Sequence, residues 1–568
     1  MITQNPNGTI GVKGASYDLR ICGHVIDVVI NGIAFASLDI RTAVNRTEDD
    51  LSVTQDAEKC IPELKRMEKK PGEALFVWSG KSSLWDKEYT LSCSYNRFCF
   101  YVKVKGSGNV DSVNYFSGNM AEPGCGSGYE FSEGFYPSIP YNTVENYTFR
   151  SSCECHRPSI LMAPPMFCYV FRCEGIGNRL ALGLVAERGE HNFHSFDYNI
   201  AVLHNRRAGF YLTTDQDGHT RVDGEWTAPY IIGYSATDVD NALRKYSDYY
   251  YASGIAKPRK NIAIPRFWHG PLACGWIEQG EKPSNCTENL YERLIETLRK
   301  NDLHPTAIII DDKWMTHYAT FEADQSKWPD LRAFVERRRM ENMKTMLWIM
   351  LWSSDGWDDA LCVTGDENAL KYDESMRMVD PSHPAYLENL DRAMERIFSD
   401  GDGCYNCDGI KIDYAFANPK GKSVKTCSGK YGVELMYDLM ERIYRKAKEY
   451  KPDALINNSA CHPYFGHICD QARLHDYFPT DRFNLEDLSM RAKMFSIAMP
   501  GVLLDTDNSG FVTRRDTMRW QLNQQIVGVP DLYAVSPNAV LDLNEDDLGA
   551  IAEMWHEYSA RVDGMYGE

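Results

Sequence analysis

Two patterns of apolar and polar positions divide the chain. Up to about residue 235, short apolar runs at 24–30, 89–95, 98–104, 159–173 and 180–185 are separated by clusters of Gly, Asn, Asp and Pro. Few windows there sustain a helical period, so the pattern predicts strands joined by turns, packed as a large β-sandwich. The spacing then changes. Val239, Leu243, Tyr246 and Tyr250 recur every three or four residues, which predicts a helix ended by Pro258 and linking two domains.

Beyond residue 260, apolar runs that finish in polar or acidic residues alternate with helical stretches. The runs lie at 267–275, 307–312, 345–352, 409–413, 454–459, 471–476, 501–505 and, more weakly, 531–535. The helical stretches lie at 289–300, 330–340, 384–398, 431–450, 484–498 and 546–561. Such an alternation predicts a (β/α)8 TIM barrel. An open doubly wound sheet is the alternative, but no G-x-G-x-x-G and no phosphate loop follows any strand. The expected domains are therefore a β-sandwich over 1–235, a helical linker over 236–260 and a catalytic barrel over 261–568.

Composition narrows the function. The formal charge of −19 over 568 residues repels phosphate backbones, which argues against a nucleic-acid partner. No window approaches the roughly 18 uninterrupted apolar residues of a membrane span. The opening MITQNPNGTIGVKG has neither the basic start nor the apolar run of a secretory signal. With 17 irregularly spaced cysteines, this points to reduced thiols and a cytoplasmic protein. Cys153 and Cys155 beside His156, and Cys404 with Cys407, look like metal half-sites, but neither has a matching second half, so no metal and no cofactor are expected. Self-association of the chain into a homo-oligomer stays open.

The chemistry lies at the strand ends. Four runs finish in carboxylates: Asp311-Asp312, Lys411-Ile412-Asp413, Arg473-Leu474-His475-Asp476 and Asp505-Thr506-Asp507. Capping of the following helices could account for one or two of them. It does not account for Lys411, which alternation places on the same inward face as Asp413. A buried Lys beside a buried Asp is poorly suited to a packed core and better suited to a polar cavity at the barrel mouth. Two carboxylates across such a cavity are the machinery of glycoside hydrolysis. Asp413, with a cation beside it, suits the nucleophile. Asp476 suits the acid, with Asp481 as its rival, and Arg473 is expected to contact substrate. Among the tryptophans near strand ends, Trp276 is the candidate floor for a sugar ring.

These residues resemble a known family. Asp311-Asp312-Lys313-Trp314-Met315 is similar to the D-D-x-W-M segment of α-galactosidases, and Gly409–Asp413 to their K-x-D nucleophile strand. Arg473 to Pro479, with Asp481, resembles the R-x-S-D-x-F-Y-P stretch of the raffinose-synthase-like branch of glycoside hydrolase family 36. The resemblance implies a retaining mechanism, with Asp413 as nucleophile and Asp476 as acid/base, acting on an oligosaccharide or glycoside substrate. It further implies that Asp311 and Asp312 hold the 4- and 6-hydroxyls of a galactosyl unit and that Lys411 holds the 3- or 4-hydroxyl. Trp348, Cys461 and Arg473 would line the sugar site, with Asp507 a looser match. Lys313 stands where that family has glycine, and the loop at 462–466 departs from its glycine-rich one, so the sugar is the least determined feature. Transfer of the sugar to another sugar, an α-glycosidase for N-acetylgalactosamine or glucose, and a sugar-binding barrel without activity are the alternatives.

Overall fold

The computed structural model describes residues 2–4, 8–118, 126–138, 147–156, 162–187, 189–202, 208–260, 263–365, 377–474, 485–507, 513–533, 535 and 543–566. The first part of the chain is a large antiparallel sheet domain. Its frame is a pair of long antiparallel strands, Phe98–Tyr115 and Ala208–Thr227, paired from Lys103 against Thr227 to Tyr115 against Leu212 with a register shift between Val110 and Ser112. Strict alternation at their start buries Phe98, Phe100, Val102 and Val104 on one face, as a half-buried sheet requires. The strands Arg179–Val185 and Tyr230–Ala236 pair beside it and carry the linker helix.

That helix runs from Val239 to Ala252, capped by the Asp238 carboxylate. It ends six residues before Pro258, so the proline is not its terminator; Ser253 closes it with an N–H bond to Tyr249. The helix grips both halves of the molecule. Its Tyr246 hydroxyl donates to Leu184 O of the sheet domain at 2.7 Å. On the barrel side, Ser247 donates to Ile497 O at 2.7 Å and Tyr251 to Ala498 O at 2.8 Å. Gly183 is required beneath it, because a Cβ there would lie 2.6 Å from the Tyr246 ring.

The second part is a parallel barrel whose strands are, in order, Leu272–Cys274, Ala307–Ile310, Lys344–Met350, Gly409–Asp413, Leu455–Asn458, Gln471–Arg473, Leu503–Asp505 and Asp531–Leu532. Among the described residues, the seventh strand meets the chain leading into the eighth through one parallel bridge, Asp505 to Val529. The expected run at 267–275 is split: Arg266–His269 is a helix that Pro265 initiates, and only Leu272–Cys274 is strand. A helix at Arg514–Val527 escapes the apolar pattern because its buried side is largely polar, with Asp516, Thr517, Gln521 and Gln524 among it. On the helix Leu331–Met340, Arg338 is buried and paired with Glu292 and Glu341. Among the described residues, no helix is long and apolar enough to cross a membrane.

Candidate active site

Alternation along the fourth strand sends Lys411 and Asp413 into the barrel. The strand can sit there because Gly409 has no side chain; a Cβ would meet Leu455 O at 2.7 Å and Met346 at 2.9 Å. Lys411 Nζ donates to Asp311 Oδ2 at 3.2 Å and to the Tyr533 hydroxyl at 2.9 Å, and lies 3.8 Å from Asp507. Burial works against its charge. The carboxylate of Asp311 and other acidic neighbours outweigh that and hold the ammonium well above its ordinary pKa. Cys274, on the first strand, donates its thiol to the same Asp311 oxygen at 3.0 Å.

Asp413 is held from three directions. Arg473 Nη1 approaches Oδ1 at 2.8 Å, the Tyr414 N–H donates to Oδ1 at 2.8 Å, and Trp348 Nε1 donates to Oδ2 at 3.0 Å. Three donors on one carboxylate suit its acceptor-only ionised form. Arg473 also grips Asp507, through Nε at 2.9 Å and Nη2 at 2.8 Å. Tyr533 closes the circuit by donating to Asp507 Oδ1 at 2.6 Å. The polar groups thus run from Asp413 through Arg473, Asp507, Tyr533 and Lys411 to Asp311. Arg473, expected to meet substrate, is 1% exposed and paired with two carboxylates, because a desolvated guanidinium needs counter-charges.

Of the acidic side chains in this circuit, Asp413 is the accessible one, at 22% against 5% for Asp311 and 0% for Asp507. Three residues at strand ends, Lys313 (φ 75°), Tyr414 (φ 57°) and Asp507 (φ 59°), occupy the left-handed region. Each costs roughly 1 kcal/mol or more.

Asp312 is nearly buried and accepts the Tyr318 hydroxyl at 2.9 Å. Burial, and then the charge of Asp311, push it up to about 7, against the Tyr318 bond and the Lys313 ammonium. An unfolded Asp titrates near 4, so between about pH 4 and 7 the folded chain holds a proton that the unfolded chain has lost. The stability contributed by this group therefore falls as pH rises through that window. Asp312→Asn, which still accepts from Tyr318, should be neutral at pH 4 and stabilising by up to about 4 kcal/mol at pH 8. Urea unfolding at the two pH values checks this; an equal effect at both would refute it.

Below the circuit the barrel interior stays polar. Asn457 donates to Gln471 Oε1 at 2.8 Å and to Asp505 Oδ2 at 2.7 Å. Burial and then Asp507 push Asp505 up to about 6. Asp531 is raised well above the carboxylate range by burial and then by Asp505, and both of its carboxyl oxygens lack a hydrogen-bond partner among the described residues.

The fold therefore brings together Asp311, Lys411, Asp413, Trp348, Arg473 and Asp507, with Asp312 beside Asp311. Trp276 is half-buried just past the first strand. Cys461 is fully buried, and its N–H bonds to Pro164 O of the sheet domain at 3.0 Å. Asp476 and Asp481 lie outside the described residues. Sequence reasoning missed Cys274, Tyr318 and Tyr533. Cys274 and Tyr533 sit at the ends of the first and eighth strands, and extending the scan of strand ends to uncharged polar residues would have found them.

Comparison with known proteins bears on this barrel. Residues 264–515 match the family model of the glycosyl hydrolases family 31 TIM-barrel domain. No curated protein matches the chain by sequence. Among solved structures, the fold is similar to a family 31 sulfoquinovosidase from E. rectale, in complex with an aza-sugar inhibitor, with a TM-score of 0.61 at 10% identity over 96% of this chain and 84% of that one. It is also similar to the α-galactosidase from Lactobacillus brevis, with a TM-score of 0.55 at 11% identity over 99% and 84%. A family 36 α-galactosidase from Geobacillus stearothermophilus gives 0.55 at 8% identity over 99% and 86%. At such identities the likeness speaks for the fold alone. The sequence match falls to family 31 where the strand-end motifs resemble family 36, and what the chain carries from residue 264 to 515 is a barrel that the family 31 glycosyl hydrolase model describes.

Proposed function

We propose that the protein is a retaining α-glycosidase that removes a terminal α-galactosyl unit. The observation that carries this reading is Asp413, a partly open carboxylate at the end of the fourth strand, aimed by Arg473, Trp348 and the Tyr414 N–H. In the first step its oxygen bonds to the anomeric carbon as the bond from that carbon to the leaving oxygen breaks, and an acid delivers its proton to that oxygen. In the second step water attacks the anomeric carbon, returns a proton to the same acid, now acting as base, and frees Asp413. The acid is assigned to Asp476, with Asp481 as the alternative. In a retaining pair the carboxyls stand about 5–5.5 Å apart.

Asp311 and Asp312 are assigned to the sugar hydroxyls, in unequal ways. Asp311 is already engaged by Lys411 and Cys274, so Asp312 has the greater capacity left for substrate. A buried polar group left unpaired by the wrong epimer discriminates strongly, which favours an axial 4-hydroxyl over an equatorial one. A panel of nitrophenyl α- and β-glycosides of galactose, N-acetylgalactosamine, glucose and arabinopyranose tests the assignment. The α-galactoside should be cleaved fastest, with release of α-galactose as the first product. Equal rates on α-galactoside and α-glucoside would defeat the galactose assignment alone. Hydrolysis of none, with measurable sugar binding, would defeat the enzyme reading.

A further inference from the structure

We propose that Tyr318 is a positioning residue for the sugar site: its hydroxyl fixes the Asp312 carboxyl as an acceptor for substrate, while Lys313 and Asp355 fix Tyr318; this rests on the glycosidase reading above. The backbone of Asp312 is pinned on both sides. Its N–H donates to Asp311 Oδ1 at 2.8 Å, and its carbonyl accepts from Gln279 Nε2 at 3.4 Å. The side chain is held by Tyr318, whose hydroxyl donates to Oδ1 at 2.9 Å. A carboxylate accepts through two oxygens, so the second is left for a sugar hydroxyl. A phenol donating to a carboxylate makes a charge-assisted bond, stronger than one between neutral groups.

Tyr318 is itself buried and gripped on its ring. Lys313 Nζ stands 3.8 Å from the ring centroid, and an ammonium over an aromatic face is attracted by its quadrupole. The ring also packs against Trp348, with centroids 5.9 Å apart. Trp348 is the indole that donates to Asp413 Oδ2 at 3.0 Å. Through its hydroxyl and its ring, the tyrosine therefore joins the sugar-binding carboxyl to the side chain that holds the nucleophile.

Asp355, in the loop after the third strand, ties this arrangement together. Its Oδ2 accepts Lys313 Nζ at 3.1 Å and the Tyr318 N–H at 3.2 Å, and its Oδ1 lies 3.0 Å from His317 Nδ1. Its carbonyl accepts the Ala319 N–H at 3.0 Å. Burial works against its charge, but His317 and then Lys313 hold the carboxyl below the usual carboxylate range. The two loops approach most tightly at Gly356 (φ 80°), where a Cβ would lie 2.4 Å from His317 Cβ. Glycine would take the backbone conformation of Lys313 (φ 75°) without strain. It would supply neither the cation over Tyr318 nor the partner of Asp355.

The consequence is electrostatic as well as geometric. The titratable and charged groups facing Asp312 are Asp311 beside it, Asp413 on the fourth strand, Cys286 ahead of the helix Glu288–Lys300, and Lys313 and Tyr318 on its own loop. Burial, then Asp311, and lastly Asp413 disfavour its ionised form; Tyr318 and then Lys313 favour it, and the balance lies at about 7. Loss of the Tyr318 hydroxyl or of the Lys313 cation moves Asp312 upward, further into its protonated form at neutral pH. A protonated carboxyl accepts sugar hydroxyls less strongly than a carboxylate does. Both residues should therefore matter most on the acid side of the activity profile.

The test compares wild type, Tyr318→Phe, Lys313→Met and Lys313→Arg by kcat/KM between pH 5 and 9. The substrate is nitrophenyl α-galactoside, or whichever nitrophenyl glycoside of the panel wild type cleaves fastest. Tyr318→Phe should lower kcat/KM about tenfold at pH 6. The acid limb of its profile should lie about one unit above that of wild type, so the deficit should shrink toward pH 9. Lys313→Met should move the limb in the same direction, and Lys313→Arg, which keeps the cation, should bring it back. A merely structural loss would lower kcat/KM by one factor at every pH. An acid limb unmoved in Tyr318→Phe would overturn the positioning role and leave the glycosidase reading intact; one unmoved in Lys313→Met alone would remove Lys313 from it. If Tyr318→Phe does not fold, the limb of Lys313→Met against that of Lys313→Arg decides. If wild type cleaves no glycoside of the panel, the glycosidase reading fails and this inference with it.

Discussion

Asp413→Ala should lose turnover on the order of 10⁴-fold or more, and azide should restore formation of a product of inverted configuration. The substitution removes the atom that bonds to the anomeric carbon and leaves a gap that a small anion can enter from the same face. The loss should not come from unfolding. Arg473 keeps its Nε and Nη2 contacts to Asp507 at 2.9 and 2.8 Å when the Asp413 carboxylate is gone, so the variant retains a paired guanidinium and should melt close to wild type. A 2-fluoro glycoside that traps the covalent intermediate should label, in wild type, a peptide containing Asp413. Label on any other carboxylate would remove Asp413 from the nucleophile's role, and an azide product of retained configuration would assign Asp413 to the acid/base role instead.

The fourth barrel strand was legible because its pattern is exceptional. Ile410 and Ile412 are fully buried on one face, while Lys411 and Asp413 share the other, and an apolar strand ending in charge has few structural reasons to exist. The same contrast exposed Asp311, Asp312, Arg473 and Asp507. Their pairing was not legible. Residue type says that Arg473 needs anions, but only the fold shows that two carboxylates of its own chain already satisfy it, one on the strand beside it at Asp507. Cys274 and Tyr533 carried no charge contrast, so nothing marked them until the first and eighth strands closed around Lys411. The helix Arg514–Val527 was missed for the opposite reason: its inward face is polar, and a reading based on apolar periodicity has no purchase on it.

Lys411→Met should destabilise the fold by about 3–5 kcal/mol at pH 7 to 9, the range expected when one partner of a buried ion pair is removed. The ammonium is the group on which the inner half of the site converges. It meets Asp311 at 3.2 Å, the Tyr533 hydroxyl at 2.9 Å and Asp507 at 3.8 Å, with the Cys274 sulfur at 3.9 Å. Methionine fills most of the volume and supplies none of the bonds. Asp507 keeps Arg473, but Asp311 is left with the Cys274 thiol and its neighbour's N–H, and a buried carboxylate held so weakly is costly. The pH dependence follows from the direction of the shift. Lys411 is held well above its ordinary value in the folded chain, so its contribution is whole below the unfolded lysine value near 10.4 and is lost only as pH rises through the folded one. Wild type therefore shows no loss from this group up to pH 9. Urea unfolding at pH 7 and 9 measures the difference. A difference below about 1 kcal/mol at pH 9 would mean that the ion pair is not what holds this half of the site together.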